Sequence, residues 1–208
     1  MKKFLFVTLC TLLYPLVTVA APLWDYQPQR LNKRIGHHNT VTHYSIQPTS
    51  LHDLPAALDR ATPITVNAKV FHGYTRWSVD WYFWYMKFNG QCYIERTEVK
   101  VNSALTMPQL KPEAVYSEQI KNVFNQYYDA LLTHEHGHVM MAIHAANGIE
   151  ASLMATPAQL NCKTTGEVAN QRANSVLTEF IAQEKHYDKL TEHGKTQGAR
   201  VSVYLPGH

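Results

Sequence analysis

Residues 117–148 carry a long helical pattern, and near its middle stands Thr133-His134-Glu135-His136-Gly137-His138. Ile120, Val123, Phe124, Tyr127, Tyr128 and Leu131 recur at helical spacing. Val139, Met140, Ala142, Ile143 and Ala146 continue the stripe to Gly148. With Ser117 as a suitable N-cap, the spacing predicts a helix of about nine turns. His134 and His138 then project from one face, a single turn apart. Two imidazoles so placed can share one tetrahedral Zn²⁺ at roughly 2.0–2.1 Å. Glu135, rotated by about 100° per residue, lies beside the metal and is free to take a proton from a metal-activated water. His-Glu-x-x-His on a helix is the signature of zinc metallopeptidases. A chain with 12 histidines produces such a pattern by chance more often than most. The helical context argues against chance here. His136 turns to the opposite side of the helix and is not read as a ligand.

The first residues say where such a chemistry would operate. Met1-Lys2-Lys3 precedes an apolar run from Phe4 to Val19, and Ala20-Ala21 follows before Pro22. A basic start, a short apolar stretch and small residues predict a signal peptide over 1–20, cleaved after Ala20 or, next in preference, Ala21. The apolar run is interrupted at Pro15 and is too short for an ordinary membrane span. Loss of Lys2 and Lys3 lowers the formal charge from +3 to +1. That balance gives no argument for nucleic acid or an anionic membrane as partner. Cys10 leaves with the signal peptide, and it lacks the preceding small residues that a lipid-attachment cysteine would need. In an exported chain the remaining Cys92 and Cys162 are expected to form one disulfide. Export to the periplasm or to the medium is expected, without a membrane anchor after cleavage.

The mature chain, 21–208, is expected to be one domain. Ala21 to His38 reads as irregular and Thr40 to Gln47 as a strand, and Thr49-Ser50-Leu51-His52-Asp53 offers N-cap residues for a short helix through Leu54, Leu58 and Ala61 with Pro55 in its first turns. Ile64 to Val70 suggests another short strand. Thr75 to Phe88 alternates clearly, with Trp77, Val79, Trp81, Phe83 and Tyr85 on one face. These aromatics are expected in the core. Asn89-Gly90 then marks a hairpin, and Cys92 to Val101 returns with Arg96, Glu98 and Lys100 on a solvated face. Pro108 and Pro112 are expected to end the β region. Thr164-Thr165-Gly166-Glu167 reads as a capping box opening a last helix, which ends at His193-Gly194. Val201 to Leu205 reads as a final strand. The class is α+β: a small antiparallel sheet with an Asn-Gly hairpin, the zinc-binding helix, and a second long C-terminal helix.

A catalytic zinc normally has three protein ligands and an open position. His144 lies six residues after His138, but on an unbroken helix it points about 100° off the ligand face and about 9 Å further along. Glu150 is farther still and needs a sharp turn near Gly148. His193, at the end of the last helix, can approach from a separate element and is favoured. Asp188 or Glu192 would then orient it as acceptor. Tyr187 or His186 would donate a hydrogen bond to a transition-state oxyanion. His186 and His193 share a helix face and can exchange roles.

The stretch from Thr40 to Ala199 resembles the bacterial domain-of-unknown-function family 922, described as predicted secreted zinc-dependent proteases. The Trp77–Trp81 strand, Cys92, the His134–His138 motif and Tyr187-Asp188…Thr191-Glu192-His193-Gly194…Gln197-Gly198 carry the likeness. Met140 and Met141 depart from positions that are often polar in that family. The resemblance implies a zincin-like peptidase with one catalytic Zn²⁺. The residue set expected is His134, His138 and His193 as ligands, Glu135 as general base and Tyr187 as oxyanion donor, acting on protein or peptide. Two alternatives stay open: a zinc amidase acting on cell-wall or other envelope amides, and a non-catalytic periplasmic metal-binding protein. The oligomeric state is not legible.

Overall fold

The computed structural model describes residues 35–207. The expected signal peptide and the part of the expected irregular segment before Ile35 lie outside the described residues. The chain runs β1 (Ile35–Ile46), α1 (Leu54–Ala61), β2 (Thr65–Val66), β3 (Lys69–Val70), β4 (Tyr74–Phe88), β5 (Gln91–Leu110), α2 (Glu118–Met154) and α3 (Cys162–Thr191). Two 3₁₀ turns follow, Lys195–Gln197 and Val201–Tyr204, so the expected last strand is helical instead.

The main sheet has the order β1-β5-β4. β4 and β5 form the Asn89-Gly90 hairpin and pair antiparallel, whereas β1 pairs with β5 in parallel. The sheet is therefore mixed, not antiparallel. Alternation places residues on faces but says nothing of strand direction, and the α1-to-β4 segment between β1 and β5 supplies the long crossover that a parallel pair needs. β1 also begins earlier than expected, at Ile35, because its residues are almost all exposed and carry no apolar alternation. β5 passes through Pro108 to Leu110. Pro108 stands beyond Thr106, where the pairing with β4 stops, so its missing N–H removes no β4 partner.

Helix α2 starts as expected, with the Ser117 side chain accepting from the Ile120 N–H at 3.3 Å. It runs past Gly148 to Met154, because that glycine is a packing site and not a stop. A Cβ there would stand 2.9 Å from Val176 Cγ1 of α3. α3 opens two residues before the anticipated capping box, with Asn161 as N-cap accepting from the Thr164 N–H at 2.9 Å. Cys92 and Cys162 are disulfide-bonded, joining the start of β5 to the start of α3.

Two apolar clusters hold these layers. Val79, Val99 and Val101 pack with Ala142, Ala145, Ile149, Ala169 and Ala173, where small helix residues admit Trp77, Trp81 and Phe83 from β4. Leu105 and Met107 pack with Leu54, Leu58, Phe124, Tyr127, Leu131 and Ile143. Trp77, Trp81 and Phe83 of one β4 face thus serve the core, whereas Tyr85, expected with them, follows a register shift at Trp84/Tyr85 and is 41% exposed; Trp84 on the other face lies under Arg96 at 3.6 Å. On α2 the second cluster contributes residues on both sides of the His134–His138 turn, which is thereby held rigidly from two directions.

Candidate metal centre

α2 and α3 run antiparallel at the motif, and each brings a pair of side chains four residues apart. His134 and His138 are buried, with side-chain exposures of 4% and 8%. Facing them, α3 carries Glu184 and Asp188. The two Nε2 atoms lie 3.4 Å apart, and Asp188 Oδ1 lies 3.4 Å from His134 Nε2 and 3.2 Å from His138 Nε2. A tetrahedral ion bound at roughly 2.0–2.1 Å requires its ligand atoms about 3.3–3.4 Å apart. The triangle fits. The Asp188 Oδ1 atom is also buried without a hydrogen-bond partner, a costly arrangement for a carboxylate unless a cation completes it. Among the described residues, His134, His138 and Asp188 are the group able to hold a metal ion.

Each imidazole is oriented from behind. His134 Nδ1 donates to Gln197 Oε1 at 2.9 Å, which leaves Nε2 as the lone-pair nitrogen. His138 Nδ1 lies 3.3 Å from Glu184 Oε1, and the same oxygen accepts the Trp77 indole N–H at 2.8 Å. Burial alone would lower the His138 pKa, but its contacts with Asp188 and Glu184 outweigh this and raise it to about 9. Burial likewise opposes ionisation of Asp188, yet its close contacts with the His134 and His138 imidazoles hold it well below the usual carboxylate range.

Glu135 is buried beside this triangle. Thr75 Oγ1, at the start of β4, donates to Glu135 Oε2 at 2.7 Å. Gly73 allows the close approach, since a Cβ there would stand 2.6 Å from Glu135 Oε1. Burial raises the Glu135 pKa, with the Thr75 bond opposing. Both Glu135 and the metal triangle open onto a cleft of about 900 Å³ whose walls come from Phe71–Thr75, α3 and the segment after it.

Two expected roles come out differently. His193 is half-exposed in the same cleft, and its Nδ1 lies 3.6 Å from Asp188 Oδ2, the oxygen that faces away from the imidazole pair. Among the described residues Asp188, read from the sequence as an acceptor for His193, joins His134 and His138 in the group that could hold a metal ion, and His193 stands behind it outside that group. The reason is local. Glu192 and His193 both adopt left-handed backbone, with φ of 49° and 55°, and this swings the His193 ring away onto Phe71. Tyr187, expected as an oxyanion donor, packs instead behind the histidines. Its ring stacks on His134 at 5.2 Å, and its hydroxyl donates to the His134 carbonyl at 3.2 Å and contacts Gln197. It lines a separate cavity of about 590 Å³ together with His136 and His144 and is not among the cleft-lining residues. Gly137 is what admits it, because any Cβ would run into the Tyr187 ring and hydroxyl. His144 and buried Glu150 stay outside the triangle, as an unbroken helix requires, and His186 is exposed.

Fold and site define an α+β protein with a possible metal centre of His-His-Asp type built between two antiparallel helices. The chain belongs to the family described as bacterial proteins of unknown function (DUF922), which matches residues 41–194. No curated protein and no solved structure matches it.

Proposed function

We propose that this protein is an exported zinc-dependent peptidase using Glu135 as general base. The convergence of His134 Nε2, His138 Nε2 and Asp188 Oδ1 into one triangle, with a buried glutamate alongside, is the observation that carries this reading. Two nitrogens and one carboxylate oxygen are a donor set suited to Zn²⁺, and three protein ligands leave a position for water or substrate. When bound there, the ion supplies Lewis acidity toward a carbonyl oxygen and acidifies water. The remaining work falls to the chain. Glu135, held by Thr75, accepts the proton of the attacking water and returns it to the departing amine. Its raised pKa, due to burial, brings it nearer the neutral range in which such a base is effective. His193 faces the cleft with Asp188 behind it and can donate to a developing oxyanion. β4 is an edge strand, and Gly73, Tyr74 and Thr75 line the cleft, so an extended substrate can pair with that edge.

Export fits the Cys92–Cys162 disulfide. Among the described residues no helix is long and apolar enough to cross a membrane. The test is hydrolysis of a casein or peptide substrate by zinc-loaded protein. A chelator is expected to abolish it, and Glu135→Gln is expected to abolish it while zinc stays bound. Undiminished turnover by Glu135→Gln would end the mechanism.

A further inference from the structure

We propose that the cavity of about 590 Å³ behind the histidines is an effector site for a small organic cation with an apolar body, coupled to the metal centre through Tyr187 and Gln197. The inference rests on the metal centre of the reading above and concerns its regulation. The volume falls in the range of small-molecule sites, roughly 300–1,000 Å³. The cavity shares no lining residue with the cleft onto which the metal triangle and Glu135 open. Met140, Met141, Phe180 and Tyr187 give it an apolar wall. Thioether side chains are flexible and polarizable, so the two methionines can fit an apolar guest of no fixed shape. Glu179 is the one Asp, Glu, Lys or Arg among its lining residues. Gln183 donates to Glu179 at 3.1 Å, but a neutral amide leaves the carboxylate charge in place. Glu179 joins no ion pair among the described residues. Burial lowers the His144 pKa, so that imidazole adds no positive charge at neutral pH. The whole chain has a formal charge of +3, which by itself favours anions. A preference for a cation therefore has to come from this cavity.

Two of the cavity walls are the groups that orient His134. The Tyr187 ring stacks on the His134 imidazole at 5.2 Å, and Gln197 Oε1 accepts from His134 Nδ1 at 2.9 Å. The Gln197 amide in turn donates to the Tyr187 hydroxyl at 3.1 Å. A guest packed on this pair keeps water from it and restricts its motion. His134 is then held in place before the metal arrives, and less ordering remains to be done on binding. That strengthens metal binding without moving a ligand atom. Linkage makes the effect reciprocal, so the metal must tighten the guest by the same factor.

Hexyltrimethylammonium and hexanesulfonate test this, because they share an apolar chain, differ in charge and are poor zinc ligands. The titrations are run calorimetrically at about pH 8, where histidines of ordinary pKa are neutral. The zinc-loaded protein is expected to bind one equivalent of the cation about tenfold more tightly than the anion. Glu179→Gln, at an exposed position, is expected to remove that difference. Met140→Trp, which fills the cavity from a half-buried position, is expected to abolish binding of the cation. Competition with a chromophoric chelator is expected to show zinc held about fivefold more tightly at saturating cation, and zinc loading should tighten the cation by the same factor. Equal affinity for the two probes, a preference that survives Glu179→Gln, undiminished binding by Met140→Trp, or an unchanged zinc affinity would each overturn the proposal. Any of these results together with casein hydrolysis would leave the peptidase reading intact. The cation preference and the zinc coupling, found in a protein that hydrolyses neither casein nor peptide, would uphold the effector site and remove the peptidase reading.

Discussion

The substitution that most sharply separates the roles of neighbouring residues is Asp188→Ala against His193→Ala. Asp188 Oδ1 is within 3.4 Å of both Nε2 atoms, while His193 touches only the outer oxygen of the same carboxylate. Asp188→Ala is expected to lose zinc on dialysis, whereas His193→Ala keeps about one equivalent and loses turnover by roughly the 10²–10³-fold typical of a lost oxyanion donor. Metal content by atomic emission beside kcat decides it, and zinc loss in His193→Ala would restore His193 as a ligand. Gly137 makes a second test. An alanine methyl there overlaps the Tyr187 ring as well as its hydroxyl, so the ring has to move, and with it the stacking on His134. Gly137→Ala should destabilise by about 1–3 kcal/mol, as overpacking does, and weaken zinc binding together with it. Adding Tyr187→Phe should not rescue it, because the clash reaches ring carbon. His134, Glu135 and His138 were legible because one helix turn fixes their mutual placement. Asp188 was not, since its position depends on how α3 docks on α2. A usable signal was nevertheless present: Glu184 and Asp188 repeat the four-residue spacing of His134 and His138 on the next helix.

The helix pair explains why the site needs little else. α2 carries His134, His138 and Glu135, α3 carries Asp188, and Gln197 just beyond α3 returns to His134. β4 adds Thr75 and Trp77, one hydrogen-bonding the base and the other holding Glu184. The disulfide acts at the far end of this arrangement, since Cys162 precedes Asp188 by 26 residues, about 39 Å along a helix. Closing a loop over a separation of 70 residues, it should contribute on the order of 4 kcal/mol, chiefly by restricting the unfolded chain. Cys92→Ser with Cys162→Ser is therefore expected to lower the urea midpoint strongly while leaving zinc affinity nearly unchanged. A parallel fall in zinc affinity would show that the disulfide also positions the ligands. The long helices and the Asn89-Gly90 hairpin were readable from periodicity and turn chemistry. The parallel direction of β1, the passage of β5 through Pro108 and the continuation of α2 through Gly148 were not. Each depends on a partner distant in sequence: β5 for β1, the end of β4 for Pro108, and Val176 for Gly148.

Across the whole molecule, stability and the proposed metal binding would be linked through the same protons. In the metal-free protein His138 has a folded pKa of about 9, above its ordinary value of 6.5. Its contribution is thus fully present below pH 6.5 and is lost as pH rises through about 9. Asp188, shifted the other way, contributes above its ordinary value of 3.8 and loses that contribution as pH falls through its depressed pKa. Glu135, raised by burial, favours the fold when protonated and disfavours it once ionised. The metal-free chain should accordingly be most stable in mildly acidic solution and weaken toward pH 9. Zinc binding has the opposite dependence, because His138 must give up its proton to coordinate. Below about pH 9 one proton leaves His138 per ion bound, so affinity should rise by about tenfold per pH unit. A ligand that binds only the folded chain stabilises it in proportion to the logarithm of its affinity. The melting-temperature gap between zinc-loaded and metal-free protein should therefore widen steadily from pH 6 to pH 9, at fixed free zinc, and level off above. Calorimetry in zinc-buffered and chelator-treated solutions measures it. A gap that stays constant or narrows over that range would mean that His138 does not exchange its proton for the metal, and the triangle would lose one of its corners.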